Sequence, residues 1–144
     1  MIIELNSEQR MKDLASSIGA SLVGGEVFEL VGDVGAGKTT FVKGLAKGLG
    51  VEDDVQSPSF TISRLYDARD GIQLVHYDFY RLNEPGIMAD EVSEMVRDPK
   101  TVTVIEWAAI VEGVLPENRF TLTFESPTET MRAVTVPDTL EGIA

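Results

Sequence analysis

The sequence predicts an α/β domain, with a mostly parallel central sheet carrying antiparallel additions and flanked by helices. Three observations support this. Gly32-Asp-Val-Gly-Ala-Gly37-Lys38-Thr39-Thr40 matches the phosphate-loop pattern G-x-x-x-x-G-K-[ST] at every fixed position. Its flanks fit as well: Val27-Phe-Glu-Leu-Val31 has strand character, and after the loop Phe41, Val42, Leu45, Ala46 and Leu49 recur at helical spacing. Farther along, Val102-Thr-Val-Ile105 reads as a buried strand ending in an acid, Glu106.

A strand, a glycine-rich turn and a helix start together make an anion site. Unpaired backbone N–H groups at the helix N-terminus point at the ligand, and the helix dipole favours negative charge there. Glycines at 32, 35 and 37 allow positive φ and close backbone approach. Lys38 is expected to reach the outer phosphates and the Thr39 hydroxyl to ligate magnesium. The expectation is therefore a single P-loop NTPase-like domain over residues 1–144.

The other elements follow in order. Residues 2–5 read as a short edge strand. Asn6 or Ser7 caps a helix running to about Ile18, with Met11, Leu14, Ala15 and Ile18 as its apolar stripe. Gly24-Gly25 turns the chain into the strand before the loop, and Gly48 to Gly50 ends the helix after it. Val55 to Ile62, with Ser57, Pro58, Ser59 and Thr61, is a loop placed where GTPases carry a nucleotide-sensing switch. Ile62–Tyr66 and Ile72–Phe79 form a hairpin about Asp70-Gly71. An acidic helix lies within 83–100, bearing Ile87, Met88, Val92, Met95 and Val96, and Asp98-Pro99 closes it. A short helix near Ala108–Gly113 precedes two alternating strands, Phe120–Glu125 and Met131–Val136, expected as an antiparallel pair. Residues 137–144 are expected to fray.

Charge narrows the choice of partner. Twenty-four acidic residues against twelve basic ones give a net charge of −12, so phosphate backbones are repelled unless a basic patch intervenes, and no dense run of Lys or Arg supplies one. Strong direct nucleic-acid binding is not expected. With no cysteine there are no disulfides or thiolate metal sites. The absence of a long apolar run or signal-peptide pattern leaves the cytoplasm as the default location.

Two acids compete for the magnesium-facing position, Glu106 after the buried strand and Asp78 at the end of Leu74-Val-His-Tyr-Asp78. His76, the only histidine, is expected to pack in its strand, although alternation puts it on the same face as Asp78. Trp107 could cover a nucleotide or fill the core. Arg64 and Arg81 are candidates for charge stabilisation on the γ-phosphate, with surface pairing the simpler role.

Taken together, the phosphate loop, Ser57-Pro-Ser-Phe-Thr-Ile62, His76-Tyr-Asp-Phe-Tyr-Arg-Leu82 and Val104-Ile-Glu-Trp107 resemble the bacterial TsaE family, also called YjeE or YdiB, over essentially residues 4–136. The resemblance implies an ATP- and Mg2+-dependent ATPase needed to make N6-threonylcarbamoyladenosine next to the anticodon of tRNA. It would work with the proteins TsaB and TsaD rather than modify the base itself. On this resemblance, Asp33 and Gly35 to Thr40 (Ala36, Gly37 and Lys38 among them) would bind the nucleotide, and Thr39 and Glu106 would hold the metal. Lys38 and Asp78 would be catalytic, Thr61 would act from the switch-like loop, and Ser7 and Arg132 would touch the base. One departure is that residues 84–98 lack the E-E-L-x-x-L-G pattern often found there, which bears on partner docking.

Two other readings stay open at this level. One is a small-molecule kinase, disfavoured because the seven arginines are spread out rather than gathered in a lid. The other is a nucleotide-gated scaffold with negligible hydrolysis. A GTPase is disfavoured by the absence of an N-K-x-D segment.

Overall fold

The structure, a computed structural model, describes residues 1–33, 35–56 and 62–140. Its strands are β1 (Ile2–Leu5), β2 (Val27–Val31), β3 (Ser63–Asp67), β4 (Gln73–Asp78), β5 (Thr101–Glu106), β6 (Phe120–Glu125) and β7 (Arg132–Thr135). They form one sheet in the order β1-β7-β6-β2-β5-β4-β3. The central pairings β6–β2, β2–β5 and β5–β4 are parallel, whereas β3–β4, β6–β7 and β1–β7 are antiparallel. The mixed α/β architecture, the β3–β4 hairpin and the closing β6–β7 pair are thus as the sequence predicts. Asp70 and Gly71 take positive φ of 58° and 76° at the hairpin turn, as an Asp-Gly pair accommodates best.

Alternation along the strands divides the core in two. Phe28, Leu30, Leu74, Val102, Val104 and Leu122 face helices α1 (Glu8–Ser21) and α2 (Lys38–Gly48). Val75, Tyr77 and Ile105 face α3 (Met88–Arg97) and the 3₁₀ segment Ala108–Val114. Every residue of β5 is buried, which is why its sequence is a continuous apolar and threonine run. On the second face the buried Tyr77 hydroxyl donates to Glu91 at 2.8 Å and ties α3 to β4. Burial, reinforced by that carboxylate, pushes the phenol well above its ordinary pKa.

Helices α1 and α2 touch closely through small residues. A side chain on Gly44 would sit 2.6 Å from the Lys12 carbonyl and 2.8 Å from Ala15 Cβ. Gly19 and Gly48 make the same kind of backbone approach. This contact carries α1 to Ser21, beyond the end expected near Ile18.

Both helix ends are then closed by one distant side chain. Arg69 donates to the carbonyls of Gly48 at 2.9 Å, Ala20 at 3.1 Å and Leu22 at 2.7 Å. A cation suits the negative end of each helix dipole, and its fork answers carbonyls that the helices leave unpaired. Arg69→Ala is expected to lower stability by about 2–4 kcal/mol, since charged hydrogen bonds contribute roughly 1.5–3 kcal/mol each but this head group is partly solvated. Arg69→Lys should recover only part, because an ammonium lacks the planar fork. Chemical denaturation of the three proteins checks both values.

Two local expectations need correction. The first half of the segment expected to fray is placed as structure: the Val136 N–H donates to the Met1 carbonyl at 2.8 Å just before it, and Leu140 is buried at the end of a 3₁₀ turn over Asp138–Leu140. An apolar side chain that reaches the core is enough to hold so short a segment. Residues 141–144 lie outside the described residues. Ile87, assigned to the apolar set of the acidic helix, precedes α3 and is 82% exposed, leaving Val92 as the buried anchor with Met88, Met95 and Val96 packed around it. Among the described residues no helix is long and apolar enough to cross a membrane.

Candidate nucleotide site

The parallel strands end level with one another. Leu30 of β2 pairs with Glu106 of β5, and Glu106 pairs with Asp78 of β4. In open parallel sheets ligands bind in the crevice beyond these carboxyl ends. A cavity of about 740 Å³ lies there.

Gly37 starts α2 in the left-handed region, φ 103°, and offers the first-turn amides no side-chain cap. Those amides are therefore directed toward whatever anion occupies the loop. Glycine is required here for φ: a Cβ on Gly37 would meet only the flexible end of Met11, Cε at 2.9 Å, which can move aside.

Gly35, Gly37, Lys38, Thr39 and Thr40 line the cavity from the loop side, Asp78 and Glu106 from the strand ends, and Ser7 and Arg132 from its far end. Asp33 and Ala36 belong to the loop but do not line the cavity: Asp33 is exposed, and Ala36 is buried in the core with its N–H on the Asp33 carbonyl at 3.2 Å. Thr61, with Ser57 to Phe60, lies outside the described residues. Ile62, where that loop enters β3, lines the cavity with φ 67° and accepts the Asp78 N–H at 2.8 Å.

Lys38 is buried, and three groups hold its ammonium. Nζ donates to the Gly32 carbonyl at 2.6 Å, lies 3.5 Å from Glu106 Oε1 and sits 4.6 Å above the Trp107 ring. Trp107 takes left-handed backbone angles (φ 58°, ψ 50°) and packs against the exposed Tyr80 at 4.9 Å between ring centroids. Of the two roles open for Trp107, the structure thus gives it a place on the cavity wall, covering Lys38.

The two acids sit in different surroundings. Glu106 is buried, and its Oε2 lies 2.6 Å from His76 Nε2. Asp78 is half-buried and its Oδ1 accepts the Tyr80 N–H at 3.0 Å, leaving the carboxylate fixed at the cavity edge. Thr39, Asp78 and Glu106 supply only oxygen donors, which suits magnesium. Among the described residues no group of three or more His, Cys, Asp or Glu could hold a metal.

At the far end, Ser7 Oγ accepts the Arg10 N–H at 3.2 Å and caps α1. The Arg132 guanidinium is folded onto the carbonyls of Thr128, Glu129 and Met131 at 3.0–3.2 Å. Arg81 lines the cavity, while Arg64 is exposed on β3. Asn6, Met11, Tyr80, Glu129 and Thr130 also line it and are not apparent as site residues in the sequence. Only nearness in sequence to Ser7 and Arg132 could have suggested Asn6 and Thr130. The His76–Glu106 bond had no sequence signal, because it depends on the parallel register of β4 on β5.

Comparison with known proteins identifies the family and the fold. The family model described as threonylcarbamoyl adenosine biosynthesis protein TsaE matches residues 5–134. The tRNA threonylcarbamoyladenosine biosynthesis protein TsaE of Bacillus subtilis (strain 168) is 37% identical over 132 residues, covering 88% of this chain and 78% of that protein. Its namesake from Borreliella burgdorferi is 35% identical over 132 residues, covering 87% and 91%. The crystal structure of Bacillus subtilis YdiB superposes with a TM-score of 0.76 at 32% identity, covering 99% of this chain and 90% of that one. The chain therefore belongs to the TsaE family of threonylcarbamoyladenosine biosynthesis proteins.

Proposed function

We propose that this protein is a magnesium-dependent ATPase that supports formation of N6-threonylcarbamoyladenosine in tRNA, acting with TsaB and TsaD and hydrolysing ATP slowly alone. One observation carries the reading: the phosphate loop, Asp78, Glu106, Ser7 and Arg132 border a single cavity at the carboxyl ends of the parallel strands. In this reading the loop amides and Lys38 bind the phosphates, and the Ser7–Arg132 end receives the base. Thr39 and Glu106 hold the metal, and Asp78 orients the attacking water. Magnesium supplies neutralisation of charge on the phosphates as the terminal bond breaks. An ammonium carries three donors, so Lys38 can hold the Gly32 carbonyl and still donate to those phosphates. The charge of −12 favours action through protein partners over a direct grip on tRNA.

Two measurements test this. ATP with magnesium should stabilise the protein by about 2.7 kcal/mol at a hundredfold excess over Kd, read as a thermal shift. Hydrolysis should be slow for the isolated chain, rise when TsaB and TsaD are added, and stop with a magnesium chelator. A protein that shows no shift and leaves the modification reaction of its partners unchanged is not this ATPase. A shift without hydrolysis, even with both partners, would favour the nucleotide-gated scaffold instead.

A further inference from the structure

His76 is fully buried on the sheet face that carries Leu74, Val102 and Val104. An imidazole there loses its hydration, whereas an apolar side chain would pack without that cost. Among the described residues its polar return is a single bond, Nε2 to Glu106 Oε2 at 2.6 Å, and Nδ1 has no partner there. With a carboxylate as acceptor the ring donates through Nε2–H, and the unpartnered Nδ1 is then a bare lone pair, cheaper to bury than an unpaired N–H. The other carboxylate oxygen, Oε1, faces Lys38 Nζ at 3.5 Å. The two oxygens of Glu106 are thus told apart by two different neighbours, His76 on Oε2 and Lys38 on Oε1.

We propose that His76 is the positioning residue of the site: by occupying Oε2 it fixes the Glu106 side chain so that Oε1 is the oxygen presented to magnesium. This rests on the reading of Glu106 as a metal-holding residue. Without the imidazole, Oε2 loses the bond that fixes the carboxylate, and Oε1 is no longer held where magnesium would meet it. Hydrogen-bonded partners of metal-holding groups commonly act in this way, and their loss costs about 10–100-fold in metal affinity or activity.

The test separates magnesium-dependent from magnesium-independent nucleotide affinity. Binding of a non-hydrolysable ATP analogue is measured by calorimetry with magnesium and with EDTA, for the wild type, His76→Gln, His76→Asn and His76→Phe. Thermal melts run alongside. Phe removes the donor, Asn falls short of Oε2, and the Gln amide reaches close to the position of Nε2. For Phe and Asn the magnesium-dependent gain in affinity should fall about 10–100-fold with affinity in EDTA unchanged, and Gln should restore most of it. Asn decides the matter if the Phe protein does not fold. Equal losses with and without magnesium, or no rescue by Gln, overturn the positioning role and leave His76 a packing residue. A wild type whose analogue binding gains nothing from magnesium overturns the metal reading of Glu106 and this inference with it. A wild type that gains, beside variants that gain equally, overturns the inference alone.

Discussion

Lys38→Ala should abolish partner-supported ATP hydrolysis, lowering the rate on the order of 10²–10³-fold, the usual loss when one preorganised donor to developing charge is removed. Lys38 is the cation buried at the junction of the loop, the end of β5 and the Trp107 ring. Its charge works through a low-dielectric path, where attraction to a phosphate is far stronger than in water. No other side chain on the loop is positively charged. Lys38→Arg should not restore the rate, since a planar guanidinium does not fit the space between the Gly32 carbonyl and Glu106 that a compact ammonium fills. Hydrolysis assayed with TsaB and TsaD, together with a melting curve for each variant, checks the expectation. Full turnover by a folded Lys38→Ala protein would remove this lysine from the chemistry.

The second large effect is on stability. Gly44→Val should cost about 3 kcal/mol or more, the upper range for overpacking, and lower the melting temperature by roughly 10 °C for a chain of this size. A Cβ at this position meets backbone, the Lys12 carbonyl at 2.6 Å and Lys12 Cα at 2.8 Å. Backbone in the middle of a helix cannot turn aside as a flexible side chain would, so α1 and α2 must separate. Marginal domains hold only about 5–15 kcal/mol in total, so the loss is a large share. Gly113→Val is the control, because a Cβ there meets nothing within 4 Å. If the two variants melt together, the close helix contact does not carry the stability assigned to it. The same contact holds the Ser7 end of α1 beside the loop end of α2, so Gly44→Val should also weaken ATP binding in whatever fraction remains folded.

The two predictions act on different levels, and sequence and structure contributed differently to each. The phosphate loop, its strand and its helix were legible because local chemistry determines them: glycines where φ must be positive, a lysine and two threonines at the helix start, and apolar residues at the periods of strand and helix. The β3–β4 hairpin was legible for the same reason, through Asp70-Gly71. Glu106 and Asp78 could be found as acids at strand ends but not ranked. Their difference, one buried against His76 and the other held at a half-buried edge by the Tyr80 N–H, exists only once β4 lies beside β5.

Three features had no local signature. Arg69 reads in sequence as one more charged residue of a turn, yet it closes two helices whose ends lie some 20 and 50 positions away. The exposure of Ile87 and the burial of Leu140 reverse what hydropathy and position near the terminus suggest. Each depends on which surfaces meet, and residue order does not encode that directly. Short-range rules are set by φ, side-chain period and hydrogen-bonding type, so the sequence carries the loop and the elements. Pair register, the approach of α1 to α2 and the partner of His76 come from contacts between segments far apart in the chain, and those are decided only when the sheet assembles and its two faces are covered.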